Sequence, residues 1–418
     1  MAKGKSYEIS KQVVWEAYQR VKANRGAAGV DGQSLEAFEK DLKGNLYKVW
    51  NRMSSGSYFP PPVRLVEIPK DQGRGVRPLG IPTVPDRVAQ TVVKMYFEPL
   101  VEPHFHPDSY GYRPGKSALD AVGTARQRCW RQNWVIDLDI EGFFDNLDHE
   151  LLMRAVRHHT NLPWVILYVQ RWLTAPVQHP DGHLEERTKG SPQGSVISPV
   201  LANLFLHYAF DEWMRRSYPH IQFERYADDV LIHAVTRTQA ETLLEAIRGR
   251  LKECRLEVHP DKTKIVYCQD SDRQEKHEHT KFGFLGYTFR PRRAKNRWGK
   301  YFVSFLPAIS DKAAKKIRAV IRSWRLGATR NNQSLEEIAE FVNPYVRGWV
   351  NYYGRYYRSA LTPVLRHLER ALVYWVRRKL KRLRRHQRKA AHWLGRLARR
   401  EPNLLYLWQI GIRPATGL

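Results

Sequence analysis

The sequence predicts an α+β fold in which a mixed region is followed by an all-helical one. Strands and helices mix through the middle third without the regular βαβ rhythm of a doubly wound sheet. From Ser310 onward the apolar periodicity is helical only. A content of 42% hydrophobic and 12% aromatic residues in 418 is enough for two or three domains with real cores.

Taking the elements in order, Val13, Val14, Ala17, Tyr18 and Val21 recur at helical spacing, so the first ~60 residues read as two helices around a turn. Asn24–Gly32 is a loop of Gly and Asn, Ser34 can cap the helix after it, and Pro60-Pro61-Pro62 ends the unit. A strand from Val63 to Ile68, a glycine-rich turn at Gln72–Gly75 and a second strand follow. Helices are expected from about Pro85 to Val101 and from Ser117 to about Arg131, either side of a Gly111–Gly115 loop.

Next come a strand over Trp134–Ile140 and a helix after Asp148, with Asp145 and Asp148 read as caps and Asn146 as a rival. A turn at Asp181-Gly182, a helix opened by Ser198-Pro199 that reaches Trp213, and another from about Thr238 to Cys254 complete the middle. Ser334-Leu-Glu-Glu337 is a capping box that opens a long helix. The resulting division is 1–132, 133–300, 301–376 and a basic segment 377–418.

A net charge of +28 and a pI near 10.0 resist compaction by self-repulsion and point to a polyanionic partner. RNA or DNA fits best. An anionic membrane could use the same charge, but no stretch approaches the ~18 continuous apolar residues of a span. Cys129, Cys254 and Cys268 form no Cys-x-x-Cys pair, which argues against a zinc ribbon and suits a reducing, cytoplasmic setting. The N-terminal residues lack the apolar core of a secretory signal.

The densest charge lies in Arg377–Arg400, with twelve Lys or Arg and no acid, among them Arg384, Arg385, Arg388 and Lys389. A solvated helical face would mix signs, so this run reads as a binder of phosphate backbone. Tyr345, Trp349, Tyr352, Tyr353, Tyr356 and Tyr357 follow helical spacing and read first as a core stripe. Arg347, Arg355 and Arg358 beside them could add phosphate or stacking contacts.

The chemistry resides in carboxylates. Alternation along Trp134–Glu141 puts Ile136, Leu138 and Ile140 on one face and Val135, Asp137 and Asp139 on the other. Asp228 and Asp229 sit at a hairpin tip between apolar arms, Phe223 to Ile232. If these strands are neighbours, three carboxylates converge. Phosphoryl transfer by two Mg²⁺ ions ~3.5–4 Å apart needs such a cluster of hard oxygen donors. The competing readings are plain turn chemistry for Asp228-Asp229 and a solvated or salt-bridged Asp139.

An ordered series of blocks then resembles the reverse transcriptase–maturase proteins encoded by group II introns, over nearly the whole chain. The blocks are Asn24–Gly32, Val66–Lys70 with Gly75–Pro82, Ser109–Gly115, Asp139–His149, Gly190–Gly194 with Ser198–Asn203, Tyr226-Ala-Asp-Asp229, Pro260–Thr263, Phe284–Tyr287 and Arg347–Tyr353. The resemblance implies a right-hand polymerase, with fingers and an antiparallel palm sheet, followed by a helical thumb/maturase domain.

It also implies site roles. Asp139, Asp228 and Asp229 hold Mg²⁺, with Mn²⁺ as an alternative, and the Ile140 carbonyl assists; Asp137 is left outside the ligand set. Lys70 and Arg77 grip the triphosphate, and Gln193 touches the nucleotide's sugar and base. Phe144 lies under the sugar and favours dNTPs, or is a core residue beside Phe143. Lys262 donates a proton to pyrophosphate or is a surface lysine. Arg113 contacts template or triphosphate.

The partners implied are a structured group II intron RNA, an RNA template with its DNA primer, and dNTPs, with monomer or dimer open. The activity implied is RNA-directed DNA synthesis with splicing assistance and retrohoming. Recruitment of the same lineage to host defence or CRISPR spacer acquisition, or a splicing-only role, are the alternatives. Many relatives carry an HNH endonuclease with paired cysteines; none precedes Leu418. The expectation is therefore of a primer cut elsewhere, with Glu401–Leu418 left without a role beyond that of a reduced DNA-binding segment.

Overall fold

The computed structural model describes residues 6–69 and 76–416. Lys70 and the turn expected at Gln72–Gly75 lie outside the described residues. The chain forms two compact units, Met1–Ala121 with Trp134–Ile265, and Val122–Asn133 with Val266–Leu418. This partition differs from a division at residue 300, because the strands just before that point belong with the helices after it.

In the first unit, helices Lys11–Asn24, Leu35–Glu39 and Leu42–Ser54 take the place of the two expected. The sequence Ser-Leu-Glu after the loop stops short at Lys40 because Asp41 starts a new helix, its side chain accepting from the Gly44 amide. Strands β1 (Val63–Pro69), β2 (Val76–Ile81), β4 (Val177–Gln178) and β5 (Leu184–Glu185) form one sheet in the order β2-β1-β4-β5. The β1–β2 pair is antiparallel and places Arg77 opposite Ile68.

The second sheet positions the site. It consists of β3 (Trp134–Leu138), β6 (Phe223–Tyr226), β7 (Asp229–Ala234) and β8 (Lys264–Tyr267), in the order β6-β7-β3-β8. Both β3–β7 and β6–β7 are antiparallel. Every residue of β3 except Asp137 is buried, and so is every residue of β7 except Asp229. Each strand therefore reads as an apolar run with one acid standing out of it.

Helix Val84–Val101 starts at Thr83 with Pro85 in its first turn and buries ten side chains. Asp148 caps His149–His159 by accepting from the Leu151 amide, whereas Asp145 and Asn146 lie within the short helix Phe143–Asn146. Ser198 does not cap its helix. Its hydroxyl bonds that of Ser191 at 2.6 Å, and the helix passes through a π-turn at His207–Asp211 before Glu212–Ser217.

The second unit contains β9 (Phe282–Phe284), β10 (Tyr287–Lys295) and β11 (Tyr301–Ile309), in the order β11-β10-β9. Its main helices are Asp311–Ser323, Leu335–Tyr353, Thr362–Lys379 and Gln387–Arg400. The capping box is present: Glu337 N–H donates to Ser334 Oγ, and Ser334 N–H donates to the Glu337 carboxylate. Ile338, Val342, Leu368, Leu372, Trp375, Leu394 and Trp408 share one core, each full burial contributing roughly 1.5–3 kcal/mol before entropy.

The aromatic stripe is mostly packing. Trp349 stacks on Trp324 at 5.7 Å, Tyr352 OH donates to Leu285 O, and Tyr356 and Tyr357 fall beyond the helix end. The tail is also structural. Leu405, Leu407 and Trp408 are buried, and Asn343 bonds both Leu404 O and the Tyr406 amide. Among the described residues no helix is long and apolar enough to cross a membrane.

Candidate active site

The Asp228-Asp229 turn is tight and held from below. Tyr226 pairs with Asp229, which leaves Ala227 and Asp228 as the tip, and Ala227 sits at φ 56°. A left-handed alanine costs about 1–2 kcal/mol, so something must fix it. Arg225, fully buried, donates to Ala227 O at 3.0 Å and to Asn203 Oδ1 at 3.0 Å. It also makes a two-pronged ion pair with Asp211, at 2.8 and 2.6 Å.

Gly111 presses on the same turn. A Cβ there would lie 2.4 Å from the Ala227 nitrogen, and its carbonyl accepts from Asn203 Nδ2 at 2.7 Å. The sequence reading missed Arg225, Asp211 and Asn203. The signal available was an arginine inside the short strand Phe223–Tyr226, which cannot be buried without a partner.

The register brings the carboxylates together. Leu138 faces Val230, so continuing the antiparallel pairing sets Asp139 across from Asp229. Asp139 O accepts from His259 N at 2.8 Å, and Glu141 N donates to Glu257 O at 2.8 Å. Ile140 lies between these bonds, so alternation turns its carbonyl the other way, toward the β7 side. Thr263 Oγ accepts from the Asp139 amide at 3.1 Å, a further support absent from the sequence reading.

Burial, then the charge of Asp139, raises the Asp228 carboxyl above its usual range, although a backbone hydrogen bond pulls it down. Surrounding protein, then Asp228 and Asp139, pushes Asp229 up to about 6, although its outer edge reaches solvent. Asp137 shares the face and is pushed up to about 7 by burial, Asp229 and Asp139. Four carboxyls thus crowd one site, and a cation would relieve them.

Lys262 and Arg77, with Arg225 and Lys264, answer this charge. Lys262 Nζ lies 3.3 Å from Asp139 Oδ2 with its own side chain mostly exposed. Arg77, on β2, is close enough to lower both Asp228 and Asp229.

Phe144 is half-buried, edge-on to Phe143 at 5.3 Å, and it is Phe143 that fills the core. Gln193 lines a cavity of about 410 Å³ together with Leu65, Pro78, Arg187, Lys189 and Ser191. Its carbonyl accepts from the Gly80 amide at 2.8 Å.

Arg113 is not placed for nucleic acid. Its side chain is 7% exposed, paired with Glu102 at 2.8 Å and donating to His106 O and Ser109 O. It braces the Ser109–Gly111 loop instead, because a buried guanidinium needs its donors satisfied. In the second unit, Arg347, Arg355, Arg384, Arg385, Arg388 and Lys389 are all exposed. Along 387–400 the apolar residues Ala390, Leu394 and Ala398 turn into the core and leave the cations outward.

For a metal, the donor chemistry fits: hard carboxylate oxygens plus a main-chain carbonyl are what Mg²⁺ takes. Among the described residues no three such side chains are already gathered tightly enough to ligate an ion, so the fit rests on donor type and mutual repulsion.

An antiparallel sheet that lifts paired aspartates on a hairpin beside a third, with Lys262 and Arg77 near them, is an arrangement suited to a template-directed nucleotidyl polymerase. Residues 68–289 match the family described as reverse transcriptase (RNA-dependent DNA polymerase), and residues 314–393 match the group II intron maturase-specific domain. The chain belongs to the reverse transcriptase family, in the group II intron branch, and is an RNA-directed DNA polymerase with a right-hand fold.

Protein YkfC of Escherichia coli (strain K12) is 33% identical over 334 residues, which cover 70% of this chain and 84% of YkfC. Group II intron-encoded protein LtrA of Lactococcus lactis subsp. cremoris is 31% identical over 208 residues, 48% of this chain but only 33% of LtrA. A Candida albicans telomerase, solved with a TWJ fragment of telomeric RNA, aligns with 91% of this chain and 68% of its own. That alignment has a TM-score of 0.45 and 10% identity.

Proposed function

We propose that this reverse transcriptase binds its own intron RNA, assists its splicing and copies it into cDNA. The observation that carries the proposal is one chain that joins an aspartate-hairpin site to a maturase-specific region with an outward basic surface.

Asp139, Asp228 and Asp229, with the Ile140 carbonyl, would hold two Mg²⁺. When bound, the ions lower the cost of forming the attacking alkoxide and of releasing pyrophosphate. The chain's own residues do the rest. Arg77 and Lys70 neutralise triphosphate oxygens. Gln193 and the half-buried ring of Phe144 would position the sugar, where a ring disfavours a 2′-hydroxyl. Lys262, 3.3 Å from Asp139, would protonate the departing pyrophosphate.

The test is primer extension by purified protein on an RNA template with Mg²⁺ and dNTPs. Wild type should extend and Asp228→Asn should not. The proposed catalytic site would be falsified if the variant extended as well as wild type. The maturase role is measured separately, as acceleration of splicing of the cognate intron transcript at low Mg²⁺. No acceleration by wild type removes that part.

A further inference from the structure

The β10–β11 hairpin carries a surface that neither the palm chemistry nor the basic tail explains. Its base is core: Tyr287, Phe289, Phe305 and Ala308 are fully buried. Its outer half is the opposite, with Tyr301, Phe302 and Val303 exposed and Trp298 at the tip 75% exposed. A strand pair whose buried face simply continues outward normally trades apolar residues for polar ones where cover ends. Here the apolar residues continue into the open.

Charge accompanies them. Arg290, Arg292, Arg293, Lys295, Arg297 and Lys300 fall between Tyr287 and Ser310, a stretch without any acid. The register pairs Arg293 with Val303 and Lys295 with Tyr301, so cation and ring share a face. Arg293 lies 3.8 Å over the Tyr301 ring, and Arg297 lies 4.1 Å over Trp298.

The turn that presents Trp298 is built, not loose. Asn296 Oδ1 accepts from the Trp298 and Lys300 amides at 3.0 and 2.9 Å, and Gly299 supplies φ 86°. Pre-ordering a large exposed ring lowers the cost of binding with it.

We infer that the outer half of this hairpin, Arg293 to Val303, is a binding surface for unpaired RNA. Guanidinium and ammonium groups take the phosphates, and Trp298 and Tyr301 stack on bases. Charge complementarity fixes the partner as a polyanion, and the rings select its state. Bases inside an A-form duplex offer no open face, and its deep, narrow groove admits no side chains, whereas unpaired bases stack freely on aromatic rings. RNA is the choice because this family copies an RNA strand. The inference rests on that membership, not on the proposed splicing role.

The test measures binding of a short unstructured oligouridine to the full chain by fluorescence anisotropy. Arg384, Arg385, Arg388 and Lys389 are replaced by Gln in every arm so that the tail does not mask the hairpin. Trp298→Ala with Tyr301→Ala should weaken binding about tenfold or more and leave the salt slope unchanged. Tyr301→Phe, which keeps the ring, should bind as the parent does. Arg293→Gln, Lys295→Gln and Arg297→Gln together should lower the slope by about 2.

An unchanged affinity after both rings are removed overturns the inference. So does an equal loss for an RNA duplex of the same length, or tighter binding of oligodeoxythymidine than of oligouridine. An unaltered thermal midpoint confirms that the variants are folded. Wild-type primer extension reports the palm independently of this assay.

Discussion

The Ser191 amide donates to the Phe144 carbonyl at 2.7 Å. Around that bond, Gly190 N donates to Leu147 O at 2.7 Å, His149 Nε2 meets Gly190 O at 2.7 Å, and Gly80 N donates to Gln193 O at 2.8 Å. The loop that carries Gln193 and the helix that carries Phe144 are thus one rigid frame. Two residues far apart in sequence and proposed to read the same nucleotide cannot shift independently.

Phe144→Ala should raise the ratio of rNTP to dNTP incorporation by about 10–100-fold, the discrimination that a small steric change in a pocket supplies. Gly190→Ala tests the frame rather than the ring. Gly190 has φ 81°, and a Cβ would lie 2.7 Å from Asp145 O and 2.9 Å from Phe144 O. That variant should lose roughly 1–3 kcal/mol of stability and raise KM for dNTP. If single-nucleotide incorporation shows no change in discrimination for Phe144→Ala, the ring belongs to the core after all.

Arg225 carries the aspartate turn, so its loss should be costly in two ways. Arg225→Met strands the buried Asp211 carboxylate, and breaking such a pair costs about 3–5 kcal/mol. Arg225→Met with Asp211→Leu should recover most of that stability, because no charge is left buried. Activity should stay low in both, because the Ala227 carbonyl has lost its donor. Urea unfolding and primer extension separate the two effects. Full activity in the folded double variant would mean that the turn holds itself.

Much of this was legible in the sequence because the relevant signals are local. The caps at Ser34, Asp148 and Ser334, the apolar run of β3 and the hairpin at Asp228-Asp229 are written within a few residues. What escaped depends on pairs distant in sequence. Arg225 with Asp211, Thr263 with Asp139 and Ser198 with Ser191 are brought together only by the fold. Arg113, for which the family resemblance implied a template or triphosphate contact, is held instead by Glu102, eleven residues back.

A pH test bears on the buried polar network behind the Gln193 loop. Asp86 accepts from Tyr58 OH at 2.8 Å, Trp172 Nε1 at 2.7 Å and Gln90 Nε2 at 3.0 Å. Gln90 Oε1 in turn accepts from Ser195 and the Val196 amide. Burial pushes the Asp86 carboxyl up to about 6 despite those bonds, against ~3.9 in an unfolded chain.

The folded state therefore holds this proton more tightly. Its contribution is complete below about pH 4 and drains away as pH rises to about 6, a change of roughly 3 kcal/mol. Asp86→Asn lacks the titration. Between pH 4 and 7 the stability difference should move in the variant's favour by about that amount, measured by urea unfolding. A difference independent of pH would mean that Asp86 is ionised throughout.

The basic tail gives the last prediction. Arg384, Arg385, Arg388 and Lys389 are exposed, while neighbouring Leu383 and Ala390 are buried. Changing the four cations to Gln therefore removes charge without opening the core. If each meets one phosphate of a single-stranded segment, the slope of log K against log salt should fall by about 3. On a duplex region the fall should be nearer 3.6, because each contact there releases more counterion. Affinity at low salt should drop while the preference among RNA sequences stays the same, since these side chains touch backbone and not bases. An unchanged slope, measured by filter binding over a salt series, would take the four residues out of the contact surface and leave the polyanion to other cations of the chain.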